Sequence, residues 1–144
     1  MGEINVNDIL ITPLKKVDLK DGAVMHAMKQ SEDSFKGFGE AYFSQINPGA
    51  IKAWKLHLKM TMNIVVPIGE VNFVFIDSSE ETRSETLGEN KYLRLTVPPG
   101  IWFGFKGMSK SPSLLLNVAN IEHSPEEVQR KNIDEFNYNW ETGR

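Results

Sequence analysis

Between Val97 and Phe105 the chain reads Val-Pro-Pro-Gly-Ile-Trp-Phe-Gly-Phe, and no other stretch restricts the possible folds as much. Pro98 and Pro99 fix φ and remove two backbone donors, so strand pairing must stop there, while Gly100 can take the positive φ that re-aims the chain. The aromatics Trp102, Phe103 and Phe105 follow at once. A β-barrel needs such a corner where a strand enters its mouth and presents side chains to a pocket, and an ordinary packed corner would carry the same residues.

The surrounding chain is patterned as strands. Between Met60 and Asp77, Ile64-Val65-Val66 and Val71 to Ile76 flank Pro67-Ile68-Gly69-Glu70, and their β-branched and aromatic content reads as a β-hairpin. Further β-like runs are Tyr42 to Ile46, Ile51 to Leu58, Lys91 to Val97, Trp102 to Phe105 and Leu114 to Ile121. Turn residues separate them at Asn47-Pro48-Gly49, Gly88-Glu89-Asn90, Pro98-Pro99-Gly100 and Ser109 to Pro112, which predicts an antiparallel sandwich or barrel. One helix is expected, because Ser124-Pro125-Glu126-Glu127 offers an N-cap serine, proline at the first helical position and a capping-box glutamate; it should run to about Ile133. Ser78 to Asn90, rich in Ser, Thr and Glu, reads as an exposed loop.

With 144 residues and 40% hydrophobic content the chain suits one domain, 1–144, with a substantial core. It has no cysteine, so disulfides and thiolate metal sites are excluded and a reducing cytoplasm is the expected compartment. Met1 to Asp8 lacks the basic start and apolar core of a signal peptide, and no apolar run approaches the roughly 20 residues of a membrane span. The net charge of −3 comes from 16 basic and 19 acidic residues without a basic block, which disfavours general nucleic-acid binding and leaves a local phosphate pocket open.

With the strands placed, the order of motifs resembles the dTDP-4-dehydrorhamnose 3,5-epimerase family over most of the chain. Asp21-Gly22-Ala23-Val24 resembles that family's early Asp-x-Arg-Gly segment. Ser44, followed by Asn47 through Lys55, resembles its serine and Gly-x-x-Arg-Gly-x-His run. Gly69-Glu70-Val71 leading to Asp77 resembles its Gly-Glu-Val turn, Pro98 to Phe105 its Pro-Pro-Gly-x-x-His-Gly-Phe corner, and Ser124-Pro125-Glu126 its Ser-Pro-Glu step. The resemblance implies an all-β fold, a cupin-type jelly-roll β-barrel to which the short C-terminal helix would be appended. It also implies action on nucleotide-linked keto sugars for bacterial surface polysaccharides, and a homodimer. The departures fall on the chemistry. The family's base histidine aligns with Lys55, its phosphate-binding arginine with Lys52, its acid tyrosine with Asn117 and its corner histidine with Phe103. The chain ending at Arg144 leaves little room for the later segment that supplies an aspartate to the base. It looks like a short divergent branch, some members of which carry His-x-His where this chain has Lys55-Leu56-His57.

Epimerisation beside a ketone needs a base, a group that stabilises the enolate, and an acid on the opposite face. Lys55 and His57 are the candidate catalytic residues. On a strand they share a face with Lys59, while Lys52 and Trp54 fall on the other parity. Histidine titrates near neutral pH, whereas lysine starts at about 10.4 and needs desolvation or a cationic neighbour. His57 is therefore the easier base; Lys55 suits enolate stabilisation, phosphate binding or, with more difficulty, a Schiff base. The plainer alternative is that both are ordinary pocket-rim or surface residues. A cupin metal site would want an intact His-x-His pair, which Lys55 breaks, and His26 and His123 lack ligand spacing, so no metal or cofactor is expected.

For substrate binding, Lys52 is assigned to phosphate, and Asn117 and Trp102 to the pocket lining. Alternation separates Trp102 from Phe103 and Ile101, so only one of these sets can face the ligand. In the resembled family the segment after the first Asp contributes substrate contacts, in some members across a dimer interface, which brings in His26; a solvated loop histidine reads equally well. Glu40 and Tyr42 occupy positions resembling nucleotide contacts, with other residue types. The aromatic tail Phe136 to Trp140 is expected to pack over the barrel or a partner subunit. The expected function is a metal-free nucleotide-sugar epimerase or isomerase, cytoplasmic and homodimeric, with no nucleic-acid or membrane partner. The alternative is a non-catalytic sugar-nucleotide binding protein that has lost the family's acid and base.

Overall fold

The computed structural model describes residues 3–144; Met1 and Gly2, which open the segment read above as no signal peptide, lie outside them. Twelve strands follow in order among the described residues: β1 (Leu10–Pro13), β2 (Lys16–Leu19), β3 (Gly22–Met25), β4 (Glu40–Ile46), β5 (Ile51–His57), β6 (Met62–Ile68), β7 (Glu70–Ile76), β8 (Thr82–Gly88), β9 (Leu93–Val97), β10 (Trp102–Gly107), β11 (Ser113–Ala119) and β12 (Val128–Arg130). Sheet I has the order β1-β9-β6-β11-β4, sheet II the order β12-β5-β10-β7-β8, and β2-β3 is a separate hairpin. The two large sheets face each other across one apolar core in a jelly-roll-like arrangement that does not close into a barrel, with Ile64, Leu95 and Leu115 of sheet I against Phe73, Phe75 and Phe103 of sheet II. The all-β expectation holds.

Local sequence explains most of the element boundaries. The Pro-Pro-Gly corner ends β9 and turns the chain into β10, with Gly100 at φ +93°. The expected hairpin from Met60 to Asp77 does not form. β6 and β7 belong to different sheets, since Gly69 at φ +83° swings the chain across the core instead of folding it back. Each apolar run is then buried as the middle of its own sheet, which a two-stranded hairpin cannot do.

Two further expectations are corrected. The C-terminal helix is a short 3-10 turn, Pro125–Glu127, that passes directly into β12. Glu127 does not cap the turn, because its carboxylate accepts the backbone N–H groups of Lys59 and Met60 and pairs with His57; these tertiary partners outweigh a local cap. The polar stretch read as a loop is strand β8, paired along its length with β7. Its Ser and Thr side chains sit on an edge strand, where Asn72 Nδ2 donates to Ser84 and Thr86.

The segment from His26 to Gly39 covers the outer face of sheet I around Arg94 and Asn63. Arg94, with no exposed surface, donates to the Ala27 carbonyl, Ser34 Oγ, Glu32 and Asn63 Oδ1. A guanidinium so buried is tolerable because its donors are matched. This polar layer fixes Asn63, which bridges to the inner face.

Candidate active site

A cavity of about 760 Å³ opens between the sheets. Sheet I contributes Tyr42, Ser44, Leu115 and Asn117 to its wall; sheet II contributes Lys55, Phe73, Phe103 and Phe105. Lys52 and the chain from Arg130 to Glu135 form part of its lining at the surface.

Simple alternation puts Lys52 and Lys55 on opposite faces of β5, and the structure does not. Against β10, Phe103 pairs with Lys55 but Phe105 pairs with Lys52, and the register shifts between Phe103 and Gly104. The extra residue of this bulge lies around Trp54, and it turns both lysines toward the face occupied by Phe103 and Phe105. On the other edge of β5, β12 sets Arg130 directly across from Lys55. Three cations therefore converge on the cavity. Burial, then the charge of Arg130, and more weakly that of Lys52, hold the Lys55 amine below its ordinary pKa, with Glu127 pulling the other way.

His57 stands two residues along the same face and outside the cavity wall, only 3% exposed. Its Nδ1 is 2.8 Å from Glu127 Oε2, and its ring stacks on Phe103 at 5.9 Å between centroids. Burial lowers the His57 pKa more than the Glu127 contact raises it, so the ring is held neutral. With Nδ1–H donated to the carboxylate, Nε2 is left a buried lone pair without a hydrogen-bond partner among the described residues. Burial also pushes the Glu127 carboxyl up, but His57 and the amides of Lys59 and Met60 outweigh that and lower it overall.

No family model matches the chain. A dTDP sugar isomerase from Desulfovibrio desulfuricans G20 is 29% identical and superposes with a TM-score of 0.91 over 99% of this chain and 98% of that one. The spore coat polysaccharide biosynthesis protein SpsL of Bacillus subtilis is 24% identical across 95% of this chain and 97% of its own length. A probable low-salt glycan biosynthesis epimerase, Agl13 of Haloferax volcanii, is 24% identical across 90% of this chain and 88% of its own length. Solved dTDP-4-dehydrorhamnose 3,5-epimerases superpose at 14–18% identity with TM-scores of 0.77–0.79. The chain has the fold of the dTDP-4-dehydrorhamnose 3,5-epimerases and related sugar isomerases.

Within this epimerase fold the predicted site residues separate into two groups. Lys55, Lys52 and Asn117 all reach the cavity. Asn117 is 2% exposed and joins three strands: its Oδ1 accepts the Asn63 backbone N–H, and its Nδ2 donates to the Tyr42 oxygen. Trp102 does not line the cavity. It shares the outer face of sheet II with Ile76, in a cluster that includes Trp54, Phe136, Tyr138 and Trp140, and Lys131 Nζ sits 4.9 Å from its ring centroid. Alternation along β10 turns Phe103, not Trp102, into the cavity. His26 borders a smaller cavity with Lys15, Lys29 and Glu32, remote from Lys55 in this chain's own cavity. Glu40 shares a strand face with Tyr42 but lies beyond the cavity wall, where its carboxylate accepts the His123 backbone N–H.

Glu127 and Arg130 were not anticipated as site residues. Both depend on β12 returning along β5, some 70 residues away in sequence. The only local hint of that strand is the extended-favouring Val128 at the point where the helix should continue. Among the described residues no cluster of three His, Asp or Glu side chains is arranged to hold a metal ion, and no helix is long and apolar enough to cross a membrane.

Proposed function

We propose that this protein is a nucleotide-sugar epimerase or isomerase of surface-polysaccharide biosynthesis, which abstracts a proton from the carbon beside a sugar ketone. The observation that carries the reading is Lys55: an amine in the cavity wall, partly desolvated and flanked by Arg130 and Lys52, which shifts it toward its neutral, basic form. The names of the similar proteins support the reading, one a dTDP sugar isomerase and another a probable glycan biosynthesis epimerase.

In this reading 1–144 acts as one catalytic unit. Lys52 and Arg130 hold the diphosphate of the nucleotide at the cavity's edge. Arg130 offers paired N–H groups to phosphate oxygens and Lys52 a mobile point charge. The sugar enters between Phe103, Phe105 and Leu115, where apolar walls exclude water and strengthen the electrostatics at the reacting carbon. Lys55 takes the proton. His57, uncharged and anchored by Glu127, packs behind Phe103 and fixes the end of β5 that carries Lys55.

The test is the NMR spectrum of dTDP-4-keto-6-deoxyglucose in heavy water. Wild-type protein should wash deuterium into the position beside the ketone, Lys55→Met should lose at least about 100-fold of that rate, and His57→Gln should keep it within about tenfold. Ligand binding with no exchange would overturn the enzyme reading in favour of a sugar-nucleotide binding protein. The reading also includes a homodimer in the cytoplasm. Its support is the edge strand β4, whose Phe43 is 65% exposed, and nearby Phe38, at 64%. Light scattering should give twice the 16.3 kDa chain mass.

A further inference from the structure

The cavity contains a phenol that this mechanism leaves unused. Tyr42 of β4 lies in the wall built by sheet I, its oxygen 3.0 Å from Asn117 Nδ2. The direction of that bond is set by the groups around it. The Asn63 backbone N–H meets Asn117 at 3.2 Å and can only be accepted by Oδ1, so the Asn117 NH₂ must face Tyr42, with Met60 Sδ at 3.8 Å as its other acceptor. Asn63 is itself immobilised. Its Oδ1 accepts from Arg94 Nε and Thr96 Oγ1, and its Nδ2 donates to the Ser34 carbonyl. Flipping the buried Asn117 amide would set two donors against each other, so the Tyr42 oxygen accepts and its own hydrogen is left to donate elsewhere. Among the described residues no acceptor takes it.

We propose that Tyr42 is the catalytic proton donor of this site, placed by Asn117. The inference rests on the epimerase reading and deepens it. Lys55 stands on sheet II and Tyr42 on sheet I, so a sugar ring held between the sheets meets the amine on one face and the phenol on the other. Inversion by a separate base and acid uses that arrangement. The C–H bond breaks on the sheet II side, its proton passes to the Lys55 amine, and the electron pair is held as an enolate. The carbon then takes the phenolic proton on the sheet I side, leaving Tyr42 as phenolate. Its charge is met by the Asn117 N–H that already donates to that oxygen. Lys55 loses its proton to water and Tyr42 recovers one, which restores the site.

The experiment follows two signals in heavy water with the same keto sugar: deuterium entry beside the ketone and formation of the inverted product. Tyr42→Phe should lose at least about 100-fold in inverted product while exchange falls by less than tenfold, because Lys55 still removes the proton and returns a deuteron to the same face. Tyr42 is 36% exposed on an edge strand, so the phenyl ring keeps its packing. Asn117→Asp is the second variant. Its carboxylate still accepts the Asn63 N–H but draws the phenol's hydrogen to itself, and it should show the same split between the two signals, whichever way Tyr42→Phe folds. Unchanged inverted product in these variants overturns the inference, as does an equal loss of both signals, which would put Tyr42 in binding. Absence of exchange with the wild-type protein overturns the epimerase reading and this inference together.

Discussion

Lys55 is held low by burial and by the cations around it, and only its neutral form can accept a carbon-bound proton. Deuterium exchange should therefore rise with pH through the depressed lysine pKa and then level off, and Lys55→Arg should abolish the rise along with the activity. Its neighbour His57 predicts a different signal. Burial depresses the His57 pKa in the fold, so the unfolded chain binds its proton more readily. The stability this contributes is present above about pH 6.5 and is lost as pH falls through the lower folded value; the lowered Glu127 extends the loss below about pH 4.3. Urea midpoints should drop between pH 7.5 and 5.5 for the wild type and change much less for His57→Gln. Lys55, Lys52 and Asn117 were legible through the resemblance of the motifs around them, and all three line the cavity, although alternation alone puts Lys52 on the face opposite Lys55. Glu127 was misread for a physical reason: a glutamate three residues after a serine is a good local cap, yet a buried histidine and two amides from β5 and its following turn compete for the same oxygens. Trp102 failed as a ligand residue because alternation leaves open which of two faces points inward.

The strands themselves were legible because β-branched runs and turn residues are local signals, whereas their partners were not. Ile64-Val65-Val66 and Val71 to Ile76 look like two arms of a hairpin until long-range pairing places β6 between β9 and β11, and β7 between β10 and β8. What enforces the crossing is the corner. Gly69 has φ +83°, and a Cβ there would lie 2.3 Å from Ser113 Oγ, the hydroxyl that accepts the Glu70 N–H and donates to the Glu70 carbonyl. Gly69→Ala should lower stability by about 2 kcal/mol or more, read as a lower urea midpoint with unchanged slope. Adding Ser113→Gly should relieve the clash while leaving the backbone strain, so the double variant recovers only part of the loss. The β5 bulge is the element that sequence periodicity could not reveal. One extra residue moves Lys52 onto the face of Lys55, and without it the cations of β5 would point to opposite sides of sheet II.

Across the whole molecule the charge is −3, yet the cavity lining gathers Lys52, Lys55, Arg130 and Lys131 against a single carboxylate, Glu135. An anionic ligand is thus drawn to one place on a surface that otherwise repels it, and composition alone could say only that such a place was permitted. Lys131 is partly committed already, with Nζ 4.7 Å from the Phe136 ring and 4.9 Å from Trp102, so the charge available to a ligand falls mainly to Lys52 and Arg130. Both are exposed at the cavity's edge, where salt screens them with a Debye length of about 8–10 Å at ordinary ionic strength. Calorimetric titration with dTDP should accordingly show weaker binding as sodium chloride rises from 50 to 500 mM. Arg130→Gln should weaken it by about tenfold at low salt and flatten the salt dependence, since one of the attracting charges is gone. Lys110→Gln, exposed and outside the cavity lining, carries the same change in net charge and should leave both affinity and salt dependence near wild type. If the two variants behaved alike, net charge would govern the attraction and the convergence of cations on the cavity would have no part in it.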